Sequence, residues 1–103
     1  MLASDPTDQD AAAGLATVGL YGRTESAPAP TDPTTPEELL LAADHAALGG
    51  QWPVAFDLGI RAVRQTSGDE REAARQRVLD YFLLAGDDPA VPKARTALAS
   101  ALF

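Results

Sequence analysis

The chain has 103 residues, 46% of them apolar and 22% charged, with a formal net charge of -7 and no cysteine. A chain of this length folds around a single core, and the lack of cysteine excludes a disulfide framework, a thiolate nucleophile and a cysteine-ligated zinc site. The acidity is uneven, with nine acids against Arg23 alone in residues 1–58 and six acids against seven bases in residues 59–103; so acidic a chain is not expected to bind nucleic acid, whose phosphates require basic clusters.

Asp5-Pro6-Thr7-Asp8 supplies a cap and turn ahead of an alanine-rich run in which Leu15 and Val18 share a stripe and Gly22 is a stop signal, which predicts a helix over about 7–21. Gly14 and Gly19 each cost that helix about 1 kcal/mol against alanine unless another backbone packs closely there. The uncharged stretch Ala11–Gly22 is 12 residues long, short of the roughly 18 that cross a bilayer. The first charges, Asp5, Asp8 and Asp10, have the wrong sign for a secretory leader. No membrane partner and a cytoplasmic location are expected.

Residues 24–35 are rich in proline and small polar residues and read as an extended linker. Thr35-Pro36-Glu37-Glu38 then combines a capping side chain, proline at the first helical position and acids facing the positive end of the helix dipole, which predicts a helix over 36–48 stopped by Gly49-Gly50. A third helix runs from Trp52 or Pro53 to about Thr66 on the apolar face of Ala55, Leu58, Ala62 and Val63. Ser67-Gly68 breaks it. The fourth, from Asp69 to about Ala85, carries Ala74, Val78, Tyr81 and Phe82 on one stripe and ends at Gly86. Asp87-Asp88-Pro89 caps a fifth, over 90–102, with Val91, Ala94 and Leu98 in phase. No segment alternates as a strand does. The fold class is therefore all-α, with about five helices in antiparallel hairpins.

Asp5-Pro6-Thr7 and Asp32-Pro33-Thr34 recur 27 residues apart, and in each copy apolar residues follow at matching offsets, Ala12 and Leu15 in the first, Leu39 and Ala42 in the second. With Leu39 at the opening bulky position, Ala42, Ala43 and Ala46 fill the packing slots of a first helix, Gly50 the turn, Trp52 the aromatic slot, and Ala55 and Ala62 the small slots of a second. This pattern resembles a tetratricopeptide repeat, degenerate where Gly59 and Ser67 replace the usual aromatic residue and proline. A single repeat cannot bury its own apolar face, so the fourth and fifth helices are expected to cap it. The chain accordingly divides into the N-terminal helix of a truncated repeat (1–23), a Pro-rich linker (24–35) and a tetratricopeptide-like helical domain (36–103).

Four segments carry a narrower resemblance: Gly50 to Phe56 (GQWPVAF), Arg64 to Arg71 (RQTSGDER), Gly86 to Val91 (GDDPAV) and Ala97 to Phe103 (ALASALF). Their order resembles the C-terminal helical region of thioredoxin-like co-chaperones, or chaperedoxins, in particular actinobacterial ones, across 36–103 and more loosely 5–22. Members usually have two leucines in place of Gly59-Ile60 and an acid in place of Pro53. The family joins this region to an N-terminal thioredoxin-fold domain that these residues do not include, so the resemblance implies one part of a longer protein. It further implies binding of unfolded client proteins and their delivery to chaperone machinery, without redox chemistry in this part.

His45, the single histidine, is followed by no nucleophile motif, and neither Ser67 nor Ser100 sits in a GxSxG elbow, so no catalytic residue is assigned. Asp87-Asp88 lacks the alternating ligands of a calcium loop and reads as a cap; no metal or cofactor is expected. Arg61, Arg64, Arg71 and Arg75, with Arg77, cluster around the third and fourth helices and are the candidate partner-binding residues, suited to an acidic peptide or a terminal carboxylate. Interleaved Asp57, Asp69, Glu70, Glu72 and Asp80 equally describe a solvated face of helical ion pairs. The expected partners are proteins, either clients or chaperone machinery; the alternative is a structural module that packs on its own thioredoxin domain or forms a homodimer.

Overall fold

A computed structural model describes the backbone of residues 5–103 and the side chains of residues 11–103. Five helices follow one another: α1 (Asp5–Ser26), α2 (Pro36–Leu48), α3 (Trp52–Arg64), α4 (Gly68–Ala85) and α5 (Ala90–Leu102), with no strand among the described residues. The cap expected from Asp5 to Asp8 lies outside the described side chains.

The helix ends follow local chemistry. At the start of α2 the Thr35 hydroxyl accepts from the Glu38 amide at 3.1 Å, and the Glu38 carboxylate accepts from the amides of Thr34 and Thr35 at 3.0 and 3.2 Å, a full capping box. Those two amides hold the Glu38 carboxyl below its ordinary range, so this cap weakens only as acid protonates it. Between α2 and α3 the chain reverses through Gly50 at a φ of 74°, a left-handed conformation that favours glycine. Asp88 accepts from the Ala90 amide at 2.9 Å just ahead of α5, while the N-cap position itself is Pro89, which makes no side-chain cap.

One boundary differs from the periodicity reading. α1 continues through Gly22 to Ser26, five residues beyond the expected end, so the extended connector begins at residue 27. Gly22 weakens the helix but does not forbid it, while Pro28 disfavours helical backbone at residue 27. The extra turn is held in tertiary structure, because Arg23 reaches across to Asp44 on α2. Gly19 has a related explanation: a Cβ there would come within 2.9 Å of the Arg23 guanidinium. A side chain folded along the same helix, not a neighbouring backbone, occupies the space that this glycine leaves.

α3 is the hub. It packs against α2, α4 and α5, whereas among the described residues α1 touches only α2 and α4. The core consists of Leu20 from α1, Leu39, Ala43, Ala46 and Ala47 from α2, the buried face of α3, Ala74, Val78 and Tyr81 from α4, and Val91, Ala94 and Leu98 from α5. Alanines on α2 and α3 let that hairpin close tightly. The aromatic residues fill the wider space beside it, Trp52 with its ring 5.9 Å from Phe56 and 6.3 Å from Tyr81, and Phe56 4.9 Å from Phe82.

Gly59 shows why α3 departs from the bulkier pattern of the chains it resembles. A Cβ at this position would stand 2.9 Å from Val78 Cγ2 and 3.5 Å from Tyr81 Cε2. The volume that a large residue would fill on α3 is supplied from α4 instead. Gly59→Ala gains about 1 kcal/mol of helix propensity but pushes a methyl group into a stiff, β-branched neighbour, at about 1–3 kcal/mol. The expected net loss is about 1 kcal/mol, read from urea unfolding followed by helical circular dichroism, with Gly59→Leu losing several times more. A midpoint that rises for Gly59→Ala would show that α3 and α4 separate without cost.

Candidate functional site

The most unusual feature of the interior is a carboxylate. Asp44 lies on α2 beside Ala43 and one turn before Ala47, both core residues, and is itself fully buried. A charge withdrawn from water costs several kcal/mol unless it is paired and hydrogen-bonded. Here every acceptor position is used. Arg23 donates from Nε to Oδ2 at 2.7 Å and from Nη2 to Oδ1 at 3.2 Å, Arg77 Nη1 donates to Oδ2 at 2.6 Å, and the Tyr81 hydroxyl donates to Oδ1 at 2.5 Å. A carboxylate offers about four lone-pair sites, so this set leaves none open. The three partners come from two helices, α1 and α4, and Asp44 therefore ties α1, α2 and α4 together.

Burial, then the adjacent Asp44 charge, raises the Tyr81 phenol well above its ordinary range; Arg77 and Arg23 oppose the shift without cancelling it. The phenol remains a proton donor to Asp44 at any ordinary pH. Next to this cluster an open groove of about 590 Å³ runs between Gly19, Gly22 and Arg23 of α1, Glu37 and Leu40 of α2, and Arg77 of α4. Arg23 and Arg77 keep 32% and 22% of their side-chain surface exposed, so the outer faces of both guanidinium groups reach this groove. Glu37 adds a second acid to its wall.

The candidate partner-binding arginines are not gathered at one point. Arg61 is exposed on α3, 3.8 Å from Asp57, and Arg64 is exposed at the last turn of the same helix. Arg71 is half-buried and donates from Nε to the Thr66 carbonyl at 2.8 Å, closing the C-terminal end of α3. Arg75 makes a two-pronged pair with Glu72 on its own helix, at 3.0 and 2.5 Å. Among the described residues none of the four lines a recess; the nearest on α3 is an apolar groove of about 420 Å³ lined by Phe56, Ile60, Ala94 and Ala97 and edged by Asp57, the partner of Arg61, and by Lys93 of α5.

His45 is not a free surface histidine. Its Nε2 lies 2.8 Å from the Ala27 carbonyl, to which it donates, and so it fastens the start of the connector to α2. Ser67 and Ser100 are exposed at the start of α4 and near the end of α5. Among the described residues, no group of three or more His, Cys, Asp or Glu side chains converges as metal ligands would, and no helix is long and apolar enough to cross a membrane. Asp44 has no part in any motif of the sequence. The available signal was its place between two core alanines, where an acid has to find donors elsewhere in the chain.

Comparison with known proteins adds one finding: residues 23–103 match the model of the tetratricopeptide repeat family. No curated protein and no solved structure matches the chain.

Asp44→Asn places amide hydrogens against the guanidinium donors, and the expected destabilisation is about 3–5 kcal/mol in urea unfolding. Arg23→Ala, whose partner keeps Arg77 and Tyr81, should lose no more than about 1–2 kcal/mol. Equal losses for the two would mean that Asp44 is not the centre of the cluster. Alkali offers a second check. An unfolded chain ionises its tyrosines near pH 10, while folded Tyr81 keeps its proton there. The unfolded state then binds fewer protons than the native one, so stability is complete below about pH 10 and falls above it. In a titration followed at the tyrosinate absorbance band, the signal of Tyr81 should emerge only together with loss of helical circular dichroism.

Proposed function

The chain belongs to the tetratricopeptide repeat family, and on that premise we propose that it is the partner- or client-binding part of a thioredoxin-like co-chaperone. Domains of this family generally mediate contact between proteins and are generally non-catalytic. The observation that supports the finer reading is the groove between α3 and α5, with Phe56, Ile60, Ala94 and Ala97 as its apolar lining and Asp57 and Lys93 at its edge, together with Arg61 and Arg64 exposed on α3. An apolar floor edged by Lys93 and by the Asp57–Arg61 pair, with Arg64 exposed on the same helix, suits an unfolded or extended segment that presents apolar side chains among charged ones. Of the four candidate arginines, Arg61 and Arg64 are assigned to contact, and Arg71 and Arg75 support the fold around them.

A second reading is a structural module that packs on a thioredoxin domain or on a second copy. It is favoured by Leu15, Val18 and Tyr21, large apolar residues on α1 that are more than half exposed at 75%, 70% and 52%, since surface of this kind usually marks a contact.

The two readings separate in one experiment. A chemically unfolded model enzyme is diluted into buffer with the domain or with its Arg61→Glu/Arg64→Glu form, and aggregation is followed by light scattering alongside sedimentation of the domain alone. Suppression by the parent, weakened about fivefold in the double variant, is expected if the two exposed charges together contribute about 1 kcal/mol. Equal, absent suppression by both forms, with the parent sedimenting as a dimer, would replace client binding with the structural reading.

A further inference from the structure

We propose that the face shared by α2 and α4 is a docking site for an arginine-bearing helix, that α1 is its resident occupant, and that a partner helix of the same chemistry exchanges with α1. This goes beyond the groove between α3 and α5 and involves none of its residues.

Three observations support the exchange. First, among the described residues α1 is joined to the rest of the fold on one side only: it touches α2 and α4 and neither α3 nor α5. Of its described apolar side chains only Ala16 and Leu20 are buried, and Leu20 is the one α1 residue in a core cluster otherwise drawn from α2 to α5. An element with so few buried apolar contacts opens more readily than the core it rests on. Second, the family match begins at residue 23 and takes in α2 to α5 with only the last turn of α1. The repeat is thus complete without most of α1, which lies across the first helices of its two hairpins as an added element.

Third, the contact has a chemical key. Asp44 is wholly buried beneath α1, and among the described residues the Arg23 guanidinium is the only group from α1 among its hydrogen-bond partners, the others coming from Arg77 and Tyr81 of α4. A site with a buried acid at its floor selects a guanidinium and rejects a carboxylate, which would meet Asp44 at close range in a low dielectric. The occupant that fits has a small residue, a leucine four positions on and an arginine three beyond that, as in Ala16, Leu20 and Arg23, all on one helical face. When α1 is lifted, its outward-facing Leu15, Val18 and Tyr21 move with it, and the proline-containing connector after Ser26 spans the gap without melting α2.

A fluorescent peptide with the sequence of residues 11–26 serves as the probe, and its anisotropy is measured against the full chain and against a Leu20→Ala/Arg23→Ala form in which the tethered helix competes less well. The peptide is expected to bind the double variant at least about tenfold more tightly than the parent, because a tethered occupant masks its site by effective concentration. A peptide carrying Arg23→Glu should lose that binding. Failure of the parent peptide to saturate the folded variant, or equal binding of the glutamate peptide, overturns the proposal. Should the variant fail to fold, hydrogen exchange on the unaltered chain decides: amides of α1 are expected to exchange at least about a hundredfold faster than those of α3, and equal protection of the two helices refutes an exchangeable α1. None of these readouts depends on client binding, so the proposal and the co-chaperone reading fail separately.

Discussion

A fully buried carboxylate with four hydrogen bonds cannot be moved a small distance without leaving a donor or acceptor unpaired, and in this chain that carboxylate joins three of the five helices. Hydrophobic contact alone tolerates sliding of one helix over another, because apolar surfaces are interchangeable. The pairing of Asp44 with Arg23, Arg77 and Tyr81 does not: it sets where α1 crosses α2 and how deeply α4 sits. It also accounts for features elsewhere, including the extension of α1 past Gly22 and the glycine at position 19 that makes room for the arginine.

On the other side of α2 and α4 the constraint is volume. Gly59 lets α4 approach α3 so closely that Val78 and Tyr81 occupy the space of a missing side chain, and Tyr81 is thereby held with its ring among Trp52 and its neighbours and its hydroxyl on Asp44. One residue thus belongs to both the apolar core and the polar cluster. The close approach and the buried charge depend on each other: a wider α3–α4 spacing would withdraw the phenol from the carboxylate, and an uncompensated carboxylate would favour opening the helices to water.

The surfaces divide along the same lines. The face of α2 and α4 has an acid at its floor and is occupied by α1, while the groove of α3 and α5 is apolar and edged by Asp57 and Lys93. A fold made only of helix pairs presents several such faces, and their charge, more than their shape, separates the partners that each could accept. The arginines do different work: Arg23 and Arg77 neutralise a buried acid, Arg71 closes a helix end, Arg75 pairs with Glu72 on its own helix, Arg95 lies over the Phe82 ring, and Arg61 and Arg64 remain exposed on α3.

Much of the architecture was legible in the residues themselves. Helix period, the Thr35-Pro36-Glu37-Glu38 start, the Gly49-Gly50 turn and the small-residue slots of α2 and α3 are local signals, written within a few positions of where they act, and they led to five helices and a tetratricopeptide-like repeat without any coordinates. The end of α1 and the roles of Asp44, His45 and Gly59 were not legible in the same way. Each depends on a group distant in the chain: Arg23 on Asp44, 21 positions away, His45 on Ala27, 18 away, and Gly59 on Val78 and Tyr81 of another helix. Periodicity reports which face of a helix is apolar; it carries no information about which polar groups will meet beneath that face. An acid in an alanine-rich helix is a solvated residue or the anchor of three elements according to what folds over it, and only tertiary packing decides between them.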